Sequence, residues 1–420
     1  MTNEQTTNDA QPAPQEELPH YPFPFADHSL ECPAEYERLR QECPVARVQM
    51  PYGGNALLLT RHADVAKAYT DPQIGMVQAS DGDIPRREAG AVVGSGTDQA
   101  SLFSVSNARH NQIRRLVTQA FTVKSANDLA PRVVEVTNEL VDAMERSGPP
   151  ADLFEDYAIQ TPMTVICEML GIPQEHEHQF RQWAREMFKT TTPPKERQAQ
   201  MRQMVAYLLP LIEQERKQPG DNVLGLLVKA LEKGEEVITQ EEVLTFARAM
   251  IVAGFETVST TFTNSAFILL QRPDLLAQLQ ERLDDPERMA MAVEEILRIT
   301  PLGNGGRPRI ARGDVLLSST TVHPGEVLML DFNSANRDEA VFSQPNDVNF
   351  DREVNPMITF ARGIHSCLGQ QVARMELRVL WTTLLTRFPK VRLAVPPQEV
   401  PWRSEDSATI GPAHLPVIWE

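Results

Sequence analysis

In the stretch Phe360-Ala-Arg-Gly-Ile-His-Ser-Cys-Leu-Gly369 a single cysteine stands between two glycines, beside an arginine and a histidine. A helix pattern starts directly after Cys367, so its sulfur lies where unpaired N–H groups and the positive end of a helix dipole gather, and both favour thiolate over thiol. Gly363 and Gly369 permit turns or close approaches that a side chain would obstruct. The stretch suits a thiolate held against something flat or bulky. A buried, inert cysteine is the plain alternative, and a catalytic nucleophile is a third, although no Cys-His-Asn or Cys-His-Asp signature accompanies it.

Four other groupings carry chemistry. Ala253-Gly-Phe-Glu-Thr257 interrupts a long apolar helix pattern, where a glycine costs about 1 kcal/mol relative to alanine and a buried carboxylate costs more. Close helix packing at Gly254 and a solvent-facing Glu256 are the plain explanations. Arg109-His-Asn-Gln-Ile-Arg-Arg115 puts His110 and Arg114 on one helical face, as an ordinary basic face also would. Glu295-Ile-Leu-Arg298 has the spacing of a helical ion pair, a pattern that commonly forms solvated surface bridges. In Thr300-Pro-Leu-Gly-Asn-Gly-Gly306 the glycines remove bulk, and Asn304 offers both a donor and an acceptor. A plain flexible turn explains that stretch equally well.

The elements that must position these residues follow from periodicity. Helical patterns cover Val123–Arg146, Tyr157–Leu170, Pro194–Gln218, Gln240–Leu270, Arg272–Arg282 and Leu368–Phe388, several of them opening after Ser, Thr, Asp or Pro. Strand-like pieces occur at Ala46–Val48 and Ala56–Leu59, and residues 302–354 read as hairpins and meandering loops. The expectation is a mainly α fold with a smaller β portion: an acidic, disordered tail over residues 1–18 and a single domain over 19–420. A formal charge of −17 disfavours nucleic acid or an anionic membrane as partner. The four cysteines form neither a disulfide framework nor a zinc spacing. The polar, acidic start does not resemble a signal sequence, and the expectation is a cytoplasmic protein.

With these residues in order, the sequence resembles the cytochrome P450 family of heme-thiolate monooxygenases, in particular its soluble bacterial members. Phe360, Gly363, His365, Cys367 and Gly369 meet the family's cysteine signature, with Ala361 where many relatives have a second glycine. Glu295 and Arg298 match its Glu-x-x-Arg pair, Ala335-Asn-Arg-Asp338 its downstream segment, and Ala373-Arg-Met-Glu376 the helix that follows the cysteine. The resemblance implies heme b buried between an oxygen-activating helix and the cysteine loop, with Cys367 as the iron's axial ligand. It makes Glu256 and Thr257 an acid-alcohol pair serving oxygen and proton delivery, and Gly254 a place where a flat ligand approaches the helix backbone. It makes His110, Arg114, Arg309 and His365 contacts to the two heme carboxylates.

Two departures stand out. Ser106-Asn-Ala-Arg109 replaces the usual Asp-Pro-Pro-Glu, and Met357 stands where a further histidine is common. By the same resemblance, Ala253, Leu302, Gly303, Asn304, Gly305, Thr409 and Ile410 line the substrate pocket, roomy and with one amide for orientation, and residues 80–106 form a lid. Electrons are expected from a separate ferredoxin and its reductase, docking near Arg115, Arg362, Arg374 and Arg378. The implied substrate is a secondary metabolite such as a polyketide, peptide or cyclic dipeptide, which is hydroxylated, epoxidised or coupled using O2. A peroxide-driven heme enzyme and a non-catalytic heme-binding gas sensor are the alternatives.

Overall fold

The computed structural model describes residues 18–87, 102, 105–173, 176, 179–183, 192–234, 236–318, 320–405 and 407–420. Nearly all of the expected acidic tail, and residues 88–101, 103 and 104 of the expected lid, lie outside the described residues.

Helix Gln240–Leu270 is the axis of the molecule, and its bounds are those its sequence pattern sets. Its start is fixed by a capping box: Thr239 Oγ1 accepts from the Glu242 N–H, and Glu242 returns the contact to the Thr239 N–H. It is long and apolar enough to cross a bilayer, but most of it is buried within the fold. Its first half packs in a core with Gln160–Leu170, Pro194–Lys217 and Val223–Leu231. Its second half packs in another with Pro273–Gln280, Pro286–Ile299 and Gln370–Arg387, where Phe262 meets Trp381 at 5.0 Å between ring centres. Gln370–Arg387, which begins three residues after Cys367, lies along Val123–Ser147.

The helix expected from Tyr157 starts instead at Gln160. Before it, Leu153–Ala158 forms a wider π turn, in which the Asp152 side chain accepts from the Phe154 N–H. Periodicity does not separate a π turn from the α-helix it leads into.

The β portion is led by a five-stranded sheet in the order Val45–Gln49, Asn55–Leu59, Val327–Leu330, Arg307–Ala311 and Ile74–Gly75. Asn55–Leu59 and Val327–Leu330 run parallel, pairing Leu58 with Met329; the other pairings are antiparallel. Arg309 pairs with Leu328 in the interior of this sheet. The strand therefore carries a guanidinium into a buried position, 8% exposed.

The Glu295–Arg298 pair is a core node. Both side chains have no exposure, and Arg298 holds Glu295 through two bonds of 2.8 and 2.7 Å. Arg352, the Asn349 N–H and Asn355 complete the carboxylate, while Arg298 donates onward to the carbonyls of Asn336, Pro345 and Asp347. Burial pushes the Glu295 carboxyl up, but its bonds to Arg298, the charge of that arginine, Arg352 and the Asn349 N–H together bring it below the usual range. The pair therefore ties the helix Pro286–Ile299 to the meander leading to the cysteine loop.

Candidate active site

The cysteine loop is built by two left-handed residues. Gly363 has φ +72°, and a Cβ there would lie 2.7 Å from the Tyr69 carbonyl, so only glycine fits. Ala361 also has positive φ, +55°, so the alanine that replaces a second glycine occupies a conformation glycine favours. The loop closes when the Cys367 N–H donates to the Phe360 carbonyl at 2.8 Å. Phe360 is held in turn by the Arg374 guanidinium, 4.6 Å from its ring centre. A Cβ at Gly369 would meet nothing within 4 Å, so protein packing does not demand that glycine.

Cys367 is accessible on one side yet sits deep among protein atoms. Burial pushes its thiol up, against the Gly369 N–H and the charges of Arg114 and Arg374. The expectation that the helix start by itself favours thiolate is thus corrected: desolvation outweighs it. A coordinated cation reverses the balance, since a thiol bound to a metal is deprotonated.

Around this loop the structure gathers His110, His365, Arg114 and Arg309. The two imidazole rings lie 4.4 Å apart. Arg114 donates to the Ser366 carbonyl at 2.6 Å and to the Ser366 hydroxyl at 3.2 Å, bracing the loop one residue before the cysteine. Arg309 stacks over Tyr69 at 5.2 Å and donates to the Pro308 carbonyl. Burial first, then His110, Arg309 and Arg114, push the His365 imidazole down to about 3; burial and Arg114 also lower His110. Among the described residues no carboxylate forms an ion pair with Arg114 or Arg309. Two buried or half-buried guanidinium groups without ion-paired carboxylates are costly, and the chemistry of the cluster fits a flat group with two carboxylates lying against the cysteine.

On the central helix Ala253 and Thr257 remain accessible while Phe255 and Glu256 are buried. The Thr257 hydroxyl donates to the Ala253 carbonyl at 2.7 Å, the back-bond by which Ser and Thr bend helices. Gly254 has a packing reason: a Cβ there would lie 2.3 Å from Ile166 Cδ1. Glu256 is 3% exposed, and its Oε1 accepts from Arg403 Nη1 and from Thr260 Oγ1. It is therefore neither solvent-facing nor an isolated acid.

The pocket residues separate. Leu302 and Ile410 are joined by a backbone bond of 3.1 Å, and Asn264 of the central helix donates to the carbonyls of Pro301 and Ile410. Thr409 is buried, its hydroxyl accepting from Arg403. The volume argument for the glycines gives way to a backbone one. A Cβ at Gly303 would lie 2.6 Å from the Ala408 carbonyl, and Gly305 has φ +95° with Pro22 3.3 Å from its Cβ position. Asn304 Oδ1 is buried without a hydrogen-bond partner among the described residues, and the Asn304 backbone carbonyl accepts from Arg87.

Three contacts were not legible in the sequence. Arg109, in the segment that departs from the family pattern, ion-pairs with Glu242 at the start of the central helix. Arg352 shares Glu295. Arg403 reaches Glu256 from the C-terminal segment; the only sign of it was that a buried carboxylate needs a cation. Of the four arginines expected at the docking face, Arg374 is paired with Glu294, Arg362 donates to the Pro356 carbonyl and Arg378 is half-buried, whereas Arg115 is exposed.

The family model described as Cytochrome P450 matches residues 74–416. Nocardicin C N-oxygenase of Nocardia uniformis subsp. tsuyamanensis is 38% identical over 400 residues, covering 94% of this chain and 98% of its own. Mycinamicin IV hydroxylase/epoxidase of Micromonospora griseorubida matches to the same identity and coverage. The crystal structure of the LnmA cytochrome P450 hydroxylase of Streptomyces atroolivaceus superposes with a TM-score of 0.87 at 37% identity, covering 96% of this chain and all of that one. A cytochrome P450 with biaryl coupling reactivity superposes with a TM-score of 0.85 at 33% identity, covering 94% and 98%. The cysteine loop, its cationic surroundings and the matches across most of the chain agree: this protein belongs to the cytochrome P450 family, whose cofactor is heme b.

Proposed function

We propose that this monooxygenase acts, through one domain spanning residues 19–420, on a secondary metabolite in the bacterial cytoplasm. Its electrons come from a ferredoxin and its reductase. The observation that carries the reading is the gathering of Arg114, Arg309, His110 and His365 about the Cys367 loop, where among the described residues neither arginine is ion-paired with a carboxylate. In this reading Cys367 ligates the iron, and the four cationic or donor side chains hold the heme carboxylates. Gly369 leaves room beside the sulfur. When bound, heme supplies activation of dioxygen for transfer to the substrate.

The chain's own residues bring protons and orientation. Thr257 presents a hydroxyl on the accessible face of the central helix, and Glu256, one residue before it, serves the proton supply behind that hydroxyl. Leu302, Ile410 and Ala253 form apolar walls, with Asn304 as the polar group of the Leu302–Gly306 turn. The substrate class follows the relatives, two of which are named for oxidising nocardicin C and mycinamicin IV. Exposed Arg115, with exposed Ile364 on the cysteine loop, gives an acidic ferredoxin a cationic and apolar landing face.

The test is spectroscopic. Reduced protein under carbon monoxide shows the red-shifted band of thiolate-ligated heme; Cys367→Ser abolishes it, and Cys32→Ser, Cys43→Ser and Cys167→Ser keep it. Loss of the band in one of those three, with retention in Cys367→Ser, overturns the ligand assignment. Thr257→Ala keeps heme but diverts electrons to peroxide.

A further inference from the structure

Glu256 cannot act from a fixed place unless something fixes it. It is 3% exposed on a helix whose neighbouring positions Phe255, Val258 and Ser259 are buried. Its contact from outside its own helix comes from the far end of the chain. Arg403 Nη1 donates to Glu256 Oε1 and also to Thr409 Oγ1 at 2.6 Å. Arg403 Nε donates to the Pro412 carbonyl at 3.2 Å, and the guanidinium lies over the Phe154 ring at 4.9 Å. The side chain is thus held on three sides by the segment Arg403–Pro412 and by the turn that precedes Gln160–Leu170. From its own helix the Glu256 carboxylate accepts from Thr260 Oγ1 at 3.4 Å, while Ser259 Oγ donates to the Glu256 backbone carbonyl. The planar guanidinium fork makes such a hold directional in a way that an ammonium cannot.

The C-terminal segment that carries this hold is also joined to the turn expected to line the pocket. The Ile410 N–H donates to the Leu302 carbonyl at 3.1 Å, and the Ala408 carbonyl lies against Gly303. Asn264, seven residues beyond Thr257 on the central helix, bonds both Pro301 and Ile410. One assembly therefore contains the pocket wall, the arginine and the acid.

We propose that Arg403 is a positioning residue for Glu256: it orients the carboxylate behind Thr257 and, through Thr409, makes that orientation depend on the C-terminal pocket wall. The inference rests on the reading of Glu256 as the acid that supplies protons, and its test separates the two. The proteins are heme-loaded and reduced by a ferredoxin and its reductase, with dioxygen as the probe. Oxygen consumption per heme and its solvent deuterium isotope effect are measured. Heme content and the midpoint of thermal unfolding are followed alongside.

Glu256→Gln is expected to slow consumption about tenfold or more and raise the isotope effect, since a positioned acid contributes about 100-fold or more. Arg403→Met is expected to move both quantities the same way. The double variant should be no slower than Glu256→Gln, and its unfolding midpoint should fall by less than the sum of the single effects. Arg403→Lys should recover part of the rate, and Thr409→Val should lose a smaller part with full heme content. If Arg403→Met does not retain heme, the lysine and valine variants carry the test.

If Glu256→Gln consumes oxygen normally, the proton-supply reading fails. If Glu256→Gln is slow while the Arg403 and Thr409 variants are normal, or if the Arg403 and Glu256 effects multiply, the acid stands and the positioning role is overturned.

Discussion

Glu376 lies in the helix that follows the cysteine loop, 2% exposed between the buried Met375 and Leu377, and its Oε1 has no hydrogen-bond partner among the described residues. Burial pushes this carboxyl up to about 8 from an ordinary 4.5. The folded protein thus keeps a proton that the unfolded chain loses above about pH 4.5. The associated stability is fully present below that pH, declines as pH rises toward 8, and is constant beyond. One proton of difference changes stability by about 1.4 kcal/mol per pH unit, so the loss reaches about 3 kcal/mol at pH 7 and about 5 kcal/mol above pH 8. Against a total of roughly 5–15 kcal/mol for a folded domain, that is a large share.

Glu376→Gln keeps the shape and is neutral in both states. Its buried amide introduces its own offset of about 1–3 kcal/mol, which does not vary with pH. The informative quantity is therefore the slope. Urea unfolding of both proteins between pH 5 and 9 should give a difference, variant minus wild type, that grows by about 1.4 kcal/mol per unit up to pH 8 and then levels. Parallel curves would show that Glu376 does not titrate as a solitary buried acid and would refute the reasoning.

The remaining predictions concern the scaffold. Ala361→Gly should stabilise the cysteine loop by about 1 kcal/mol, because φ +55° strains an alanine and not a glycine, read as a raised unfolding midpoint. Gly363→Ala adds left-handed strain to a 2.7 Å clash with the Tyr69 carbonyl, and should cost about 1–3 kcal/mol with reduced heme retention; wild-type stability and heme content would contradict the geometry. Glu295→Ala leaves buried Arg298 and Arg352 without their anion, an effect of about 3–5 kcal/mol. Glu294→Ala, which removes a half-buried partner of Arg374, should cost under about 1 kcal/mol in the same unfolding assay.

Local sequence determined most of the secondary elements and singled out Cys367 as the candidate ligand. The central helix runs from Gln240 to Leu270 because its apolar period and Thr239–Glu242 cap are written within one stretch of chain. Cys367, Gly363 and the Glu295–Arg298 spacing were legible for the same reason: each depends on residues within a turn or two. What lay beyond local reading were pairings between distant segments. Glu256 looks like either a surface residue or an isolated buried acid until Arg403 arrives from 147 positions away. Arg109 is an unexplained departure until it meets Glu242. Gly303 and Gly305 read as open space, whereas the backbone of Ala408 and the side chain of Pro22 already crowd them. A side chain's type and spacing fix what it can bond, but long-range packing decides which partner is within reach, and how far burial shifts groups such as Cys367 and Glu376.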